Sequence, residues 1–426
     1  MASVPQPPTA KPRPKRINVR KREVMDVVQR EVEGHYRSSL VERIRANGGV
    51  LEIGNTTVRL AKQFGFCYGV ERAIDLAYAA RKVFPDKRLS LIGEIIHNPE
   101  VNRQLAEMGI RTLEWRDADR TYEELGEEDV VIVPAFGATT EIMDKLNERG
   151  CLMVDTTCGD VMSVWKRVRK YAAQGFTSII HGKAEHEETR ATASRALGDD
   201  GLGHYLVLLT LKDVDVVCEY IRHGGFRDAF LERFKGKDAH SEGFDPDLHL
   251  RRVGVANQTT MLKSETLELQ RRIAQAVRDR DGDGGAMANF QFFDTICGAT
   301  QERQDALFEM LDHPMDMLLV VGGYNSSNTS HLVEIGEQQL PSFFIGDARC
   351  LKSLEEIVHF DLHSREETTS YSKVLAGHGP ATIGITAGAS CPNNLIEDTI
   401  RKVFELRGIS PDALLPRAAS AAGGEG

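Results

Sequence analysis

The chain has 426 residues, 41% of them hydrophobic, which is enough to bury a large core and form two or three domains. Its net charge of −10 gives no electrostatic reason to expect nucleic acid across the whole surface, and no apolar run reaches the roughly 18–20 residues that span a bilayer. Seven cysteines without an apolar signal-peptide core argue against a disulfide framework and for a soluble protein in a reducing compartment, where thiols can serve as ligands.

Residues 1–22 stand apart: "KPRPKRINVRKR" is basic and proline-punctuated, the pattern of a solvated, disordered tail. Residues 23–55 read as a helical extension ending in glycines suited to a helix stop. Cys67, in "FGFCYGVERAIDLAYAARK", then follows an extended apolar run and precedes Val70, Ala73, Ile74, Ala77 and Ala80 at helical spacing. A short apolar run ending in polar residues comes next ("SLIGEIIHNPE"), and after it a run, a small-residue loop and a helix ("VVIVPAFGATTEIMDKL"). The same order returns twice. Cys158 in "VDTTCGDVMSVW" is followed by "TSIIHGKAEHEET" and "VGVANQTTMLKSE", and Cys297 in "FDTICGATQERQ" by "LLVVGGYNSSNTSH" and "ATIGITAGASCPNNLIED". The chain is thus three copies of one α/β unit, at 56–155, 156–293 and 294–412, with a polar insertion near 224–250 and a flexible tail at 413–426.

Strands alternating with helices imply parallel sheets whose ligands bind beyond the carboxyl ends of the strands, where all nine landmark loops fall. Three units pointing those ends at one centre bring Cys67, Cys158 and Cys297 together, each at a helix start that favours the thiolate. Structural zinc normally takes four ligands, whereas three thiolates on a 4Fe–4S cluster leave one iron open as a Lewis acid for a substrate oxygen. Cys151, Cys218 and Cys350 read as core or surface residues, and Cys391, beside Ser390, as a bystander thiol near the site.

The loops gather His97, Asn98, His186, Glu188, Thr259, Thr260, Asn325, Ser326, Ser327, Asn328 and Ser390, a donor set suited to an anionic head group such as a diphosphate. In "HGKAEHEET" a carboxyl near a dry cluster would have a raised pKa and act as proton donor; pattern alone leaves Glu187 and Glu188 both open. His181 reads as a structural hydrogen-bonding residue. Neither a Walker pattern nor G-x-G-x-x-G is present.

"FGFCYGVERA", "GEIIHNPEVN", "PAFGATTE", "VDTTC", "HGKAEHEET", "NQTTM", "CGATQERQDA", "GGYNSSNTSHL" and "TAGAS", in this order over residues 23–410, resemble the LytB family of 4-hydroxy-3-methylbut-2-enyl diphosphate reductases, nearest its plant and cyanobacterial branch. The resemblance implies a trefoil of three α/β domains around a central 4Fe–4S cluster held by Cys67, Cys158 and Cys297. It also implies reductive dehydroxylation to isopentenyl and dimethylallyl diphosphates, with Glu188 relaying the proton, Thr259 near the substrate hydroxyl, and ferredoxin or flavodoxin giving electrons. His97, His186, Thr259, Thr260, Asn325, Ser326, Ser327, Asn328 and Ser390 fall on the family's substrate-binding positions. Three positions depart from the pattern: Phe136 stands where many bacterial members have histidine, Gly159 where proline is common, and Cys391 where cysteine is unusual. The alternative is a non-redox iron–sulfur enzyme of quinolinate-synthase type, and a third reading is a cluster-bearing sensor with a nucleic-acid-binding tail. Bacterial cytoplasm is the expected compartment, plastid stroma the second choice.

Overall fold

The computed structural model describes residues 16–114, 122–293, 295–377, 379–410 and Leu414. Helices α1 (Arg22–Tyr36) and α2 (Ser39–Ala46) lead into a hairpin of β1 (Val50–Ile53) and β2 (Thr56–Leu60). Next come α3 (Tyr68–Val83), β3 (Leu89–Ile92), α4 (Pro99–Glu107), β4 (Ile110–Leu113), β5 (Val130–Val133), α5 (Thr140–Glu148) and β6 (Leu152–Asp155). The second stretch holds α6 (Gly159–Ala173), β7 (Thr177–His181), α7 (Glu187–Ala196), β8 (Tyr205–Leu208), α8 (Leu211–His223), α9 (Arg227–Arg233), α10 (Pro246–His249), β9 (Val253–Asn257), α11 (Lys263–Asn289) and β10 (Phe290–Phe292). The third holds α12 (Gly298–Leu311), β11 (Met317–Val321), α13 (Ser327–Glu337), β12 (Ser342–Ile345), the hairpin β13 (Glu356–Asp361) and β14 (Glu366–Tyr371), α14 (Lys373–Ala376), β15 (Ala381–Ala387) and α15 (Asn393–Leu406).

Strands such as β5 ("VVIV") and β11 ("MLLVV") are apolar throughout and wholly buried, as parallel strands covered on both faces must be. Three sheets share one order: β4-β3-β5-β6, β8-β7-β9-β10 and β12-β11-β15-β2. Every pairing in these four-strand sets is parallel, and β1 adds to β2 antiparallel at one outer edge. All nine landmark loops therefore leave the carboxyl ends of parallel strands.

The sequence division at residue 56 differs from the sheets in one respect. β2, read as the first strand of the first unit, pairs with β15 in the third unit's sheet, Thr56 opposite Ala381 and Leu60 opposite Ile385. At the other two boundaries the strand before the cysteine, β6 or β10, stays in the sheet of its own unit. The strand before a cysteine completes one sheet, while the helix after it packs in the next unit's core: α3 with β3, α6 with β7, and α12 with β11. Each cysteine sits on a crossing between units.

The basic segment is also shorter as a free tail than its composition suggests. Ile17 N–H donates to Met153 O at 3.0 Å, Arg16 pairs with Asp155 at 3.1 Å, and Val19 is fully buried. Residues 1–15 lie outside the described part. The insertion near 224–250 buries Phe230, Phe234, Phe244 and Leu250 against the second core, so its polar sequence covers an apolar underside. Of the C-terminal tail only Leu414 is described, buried, with its carbonyl accepting from the Arg43 guanidinium.

Candidate active site

Cys67, Cys158 and Cys297 are the N-cap residues of α3, α6 and α12, each in extended backbone. Each backbone N–H docks on the loop after the third strand of the sheet it leaves. Cys67 donates to Ala389 O (3.2 Å), Cys158 to Ala135 O (2.8 Å) and Cys297 to Thr259 O (3.3 Å). This threefold equivalence brings the thiols to one centre. A Cβ built on Gly69 would lie 2.7 Å from Cys158 Sγ and 3.8 Å from Cys67 Sγ, so only glycine fits two positions after Cys67. All seven cysteines are free.

The pKa values of Cys158 and Cys297 run opposite to the helix-start expectation. Burial pushes Cys158 up and Cys297 up to about 12, outweighing the hydrogen bonds that Thr300 gives Cys297 Sγ. Cys391 is fully buried in the third core, with its thiol pushed up by burial and facing Pro392 O. Cys151 and Cys218 are core residues, as expected, and Cys350 is half-buried beside the Tyr324 hydroxyl.

The hydrogen bonding separates the two glutamates that sequence left open. Glu188 is buried; its Oε1 accepts from Thr259 N–H at 2.6 Å and its Oε2 from Thr259 Oγ1 at 2.9 Å. Burial raises its pKa to about 7 against the opposing pull of those bonds. Through Thr259 O the carboxyl is tied to the Cys297 backbone. Glu187 instead lies 3.7 Å from His97 Nε2, at the cleft. Asn328, the counterpart of Glu188 in the third unit, accepts from Ala389 N–H at 2.8 Å, the residue whose carbonyl holds Cys67.

His186 caps α7, accepting from Glu188 N–H at 3.1 Å, and burial holds its pKa well below the usual range. His97 stacks on Phe136 (4.8 Å, 13°) and meets His186 edge-on at 5.0 Å. Its Nδ1 faces Glu94 at 2.9 Å and Asn325 at 3.2 Å. Phe136, where the pattern has histidine, thus fixes the plane of His97. His97, His186 and Glu187 hold three candidate ligand atoms within 4.8 Å of one another, a set that could bind a cation. Ser390 Oγ donates to His97 O, and Ser326 caps α13. His181 bonds Thr266, the structural role expected of it.

Sequence reasoning missed Gln258. Its Oε1 accepts from Lys183 N–H and Thr189 Oγ1, while its Nε2 donates to Thr260 Oγ1 (2.8 Å) and Ser327 Oγ (3.2 Å). One amide ties loops of the second and third units together. The signal was its place in "NQTT". A cleft of about 1170 Å³ opens here, lined by His97, His186, Asn325 and Ser327, with Lys183, Lys212, Lys237 and Arg365 also on its walls.

The fold and site define a three-unit α/β protein with a three-thiol centre beside a donor-lined cleft and a buried carboxyl. The chain belongs to the LytB protein family, whose model matches residues 58–404. Among its relatives, 4-hydroxy-3-methylbut-2-enyl diphosphate reductase of Gloeobacter violaceus is 49% identical over 90% of both chains. The protein of that name from Picosynechococcus sp. is 47% identical over 89% of this chain and 92% of its own. The E-1-hydroxy-2-methyl-but-2-enyl-4-diphosphate reductase structure from Plasmodium falciparum shares the fold, with a TM-score of 0.58 at 20% identity, covering 81% of this chain and 86% of that one. No described helix is long and apolar enough to cross a membrane.

Proposed function

We propose that the protein reductively removes the allylic hydroxyl of 4-hydroxy-3-methylbut-2-enyl diphosphate. The products are isopentenyl and dimethylallyl diphosphates, at the last step of the methylerythritol phosphate route. The names and high identity of the cyanobacterial relatives support the reading. The observation that carries it is a buried, proton-bearing carboxyl tied through Thr259 to the backbone of one of the three cysteines that converge at the centre.

The donor set fits a 4Fe–4S cluster: three soft ligands free of disulfides, around a cradle that a single Cβ at Gly69 would fill. Cys67, Cys158 and Cys297 would hold it, and with three protein ligands it supplies electrons and one iron open to a hydroxyl oxygen. Glu188, with a pKa of about 7, holds a proton for the leaving hydroxyl near neutral pH, and Thr259 orients that carboxyl. His97 Nε2 and Asn328 Nδ2 are buried without a hydrogen-bond partner among the described residues, as donors awaiting an anion would be. With His186, Thr260, Asn325, Ser326, Ser327 and Ser390 they hold the diphosphate. The C–O bond breaks, and two electrons and two protons convert R–OH to R–H and water. A one-electron donor such as ferredoxin or flavodoxin is required, and the working compartment is bacterial cytoplasm.

The test is anaerobic purification, iron and sulfide analysis, and oxidation of a reduced one-electron dye on adding the diphosphate. About four irons per chain are expected, lost in Cys67→Ser, Cys158→Ser and Cys297→Ser. Glu188→Gln should keep cluster and substrate binding but lose most turnover. A cluster indifferent to all three cysteines would overturn the reading.

A further inference from the structure

The thiol centre lies just beneath one face of the molecule. Of the residues that follow the three cysteines, Tyr68 is 78% exposed, and Gly159 and Gly298 are exposed too. Tyr68 is a large aromatic ring with no core to fill, one residue from a thiol. From this face α6 runs outward. Its Val161, Val164, Val168 and Tyr171 pack inward, so Ser163, Lys166, Arg169 and Lys170 point to solvent.

No ion pair with a carboxylate occupies Lys166, Arg169 or Lys170 among the described residues. A run of cations without carboxylate partners on one helix, Lys170 lying 5.9 Å from the Phe293 ring centre, is out of keeping with a chain of net charge −10. At 1.5 Å per residue, Lys166 stands about 12 Å and Lys170 about 18 Å along the axis from Cys158. A standard interface of about 800 Å² per partner covers both the stripe and Tyr68. Glu71, three residues after Tyr68, with Asp160 and Glu302, all exposed at the helix starts, are the opposing charges. They push an acidic rim away from the thiols and toward α6, leaving the apolar middle of a partner over Tyr68.

Resting on the reductive reading above, we propose that Tyr68 and the α6 cations form the docking face for a small acidic one-electron carrier protein. Each docking oxidises one reduced carrier, and two dockings supply the two electrons that one substrate consumes.

The experiment uses the full-length, cluster-loaded protein, a plant-type 2Fe–2S ferredoxin as probe, and the triple variant K166E/R169E/K170E beside Tyr68→Ala. Ferredoxin binding is measured by calorimetry at low salt, and turnover is followed with reduced ferredoxin and, separately, with reduced methyl viologen. The triple variant should weaken ferredoxin binding at least tenfold and flatten its salt dependence. Tyr68→Ala should weaken it several-fold, and viologen-driven turnover should stay within twofold of the parent in both. Unchanged ferredoxin binding in the triple variant, or a parallel loss of viologen-driven turnover, would overturn the docking face. The calorimetry needs no turnover, so an enzyme inactive with both reductants would sink the proposed reaction while leaving this surface judged on its own.

Discussion

Gly159 opens α6 directly after Cys158, and nothing lies within 4 Å of the Cβ position a side chain there would take. Cys158 is extended (φ −61°, ψ 144°), a backbone that tolerates a following proline. The first helical position is also where proline's missing N–H is spare. Gly159→Pro should therefore stabilise the protein by roughly 0.5–1 kcal/mol through the unfolded chain, read as a higher urea midpoint, with iron content unchanged. Glycine here leaves the ligand's setting intact. Gly69 is the opposite case, because its missing side chain makes room for Cys158 Sγ. Glu188 sets a pH dependence. Its folded pKa, about 7, lies above the ordinary carboxyl value, and the charges acting on it are His97, which lowers it, and Asp160, which raises it. Between about 4.5 and 7 the folded chain keeps a proton that the unfolded chain has lost, so this residue's contribution falls as pH rises and its cost is complete above about 7. Glu188→Gln should raise the thermal midpoint at pH 8 and change it little at pH 5. Equal shifts at both pH values would contradict the buried, raised carboxyl.

Among elements, the loops were readable and their partners were not. Short apolar runs ending in small polar residues mark strand ends in any setting, which is why nine loops and three thiols could be placed from sequence. The pattern left Glu187 and Glu188 both open, and only the hydrogen bonds of Thr259 single out Glu188. Which sheet a strand joins depends on surfaces distant in the chain, so "TTVRL" gave no sign that β2 pairs with β15. The thiol pKa direction failed for a related reason: a helix start shows in the sequence, but the depth of burial that overrides it does not. Gln258 joins these levels. It holds the β9 loop to Lys183 and Thr189 in its own unit and to Ser327 at the start of α13 in the next. Gln258→Ala leaves several buried groups unpaired, at about 1–3 kcal/mol for each one that water cannot reach. We expect at least a tenfold rise in KM for the diphosphate with iron content and dye reduction retained. A fall in kcat alone would mean Gln258 acts at the reacting centre instead of holding Ser327 of the cleft wall in place.

For the whole molecule, an acidic protein must admit a strongly anionic substrate. Net charge −10 repels a diphosphate at long range, so approach depends on where the cations lie. The cleft wall carries Lys212 and Lys237 from the second unit and Arg365 from the hairpin turn between β13 and β14. Lys212 and Lys237 are exposed and lie outside the loops proposed to hold the head group. They can raise the encounter rate without touching the bound substrate. The paired change Lys212→Glu with Lys237→Glu should lower kcat/KM for the diphosphate roughly three- to tenfold at about 10 mM salt, where the Debye length is about 30 Å. The deficit should close at about 1 M, where that length is about 3 Å, and kcat should be unchanged throughout. A deficit that persists at high salt would mean these lysines contact the substrate directly. Dye-driven and ferredoxin-driven assays should show the same deficit, because this cleft and the Tyr68 face admit different reactants. On the two proposals above, substrate and electrons enter one acidic molecule through two separate surfaces, each tunable without the other.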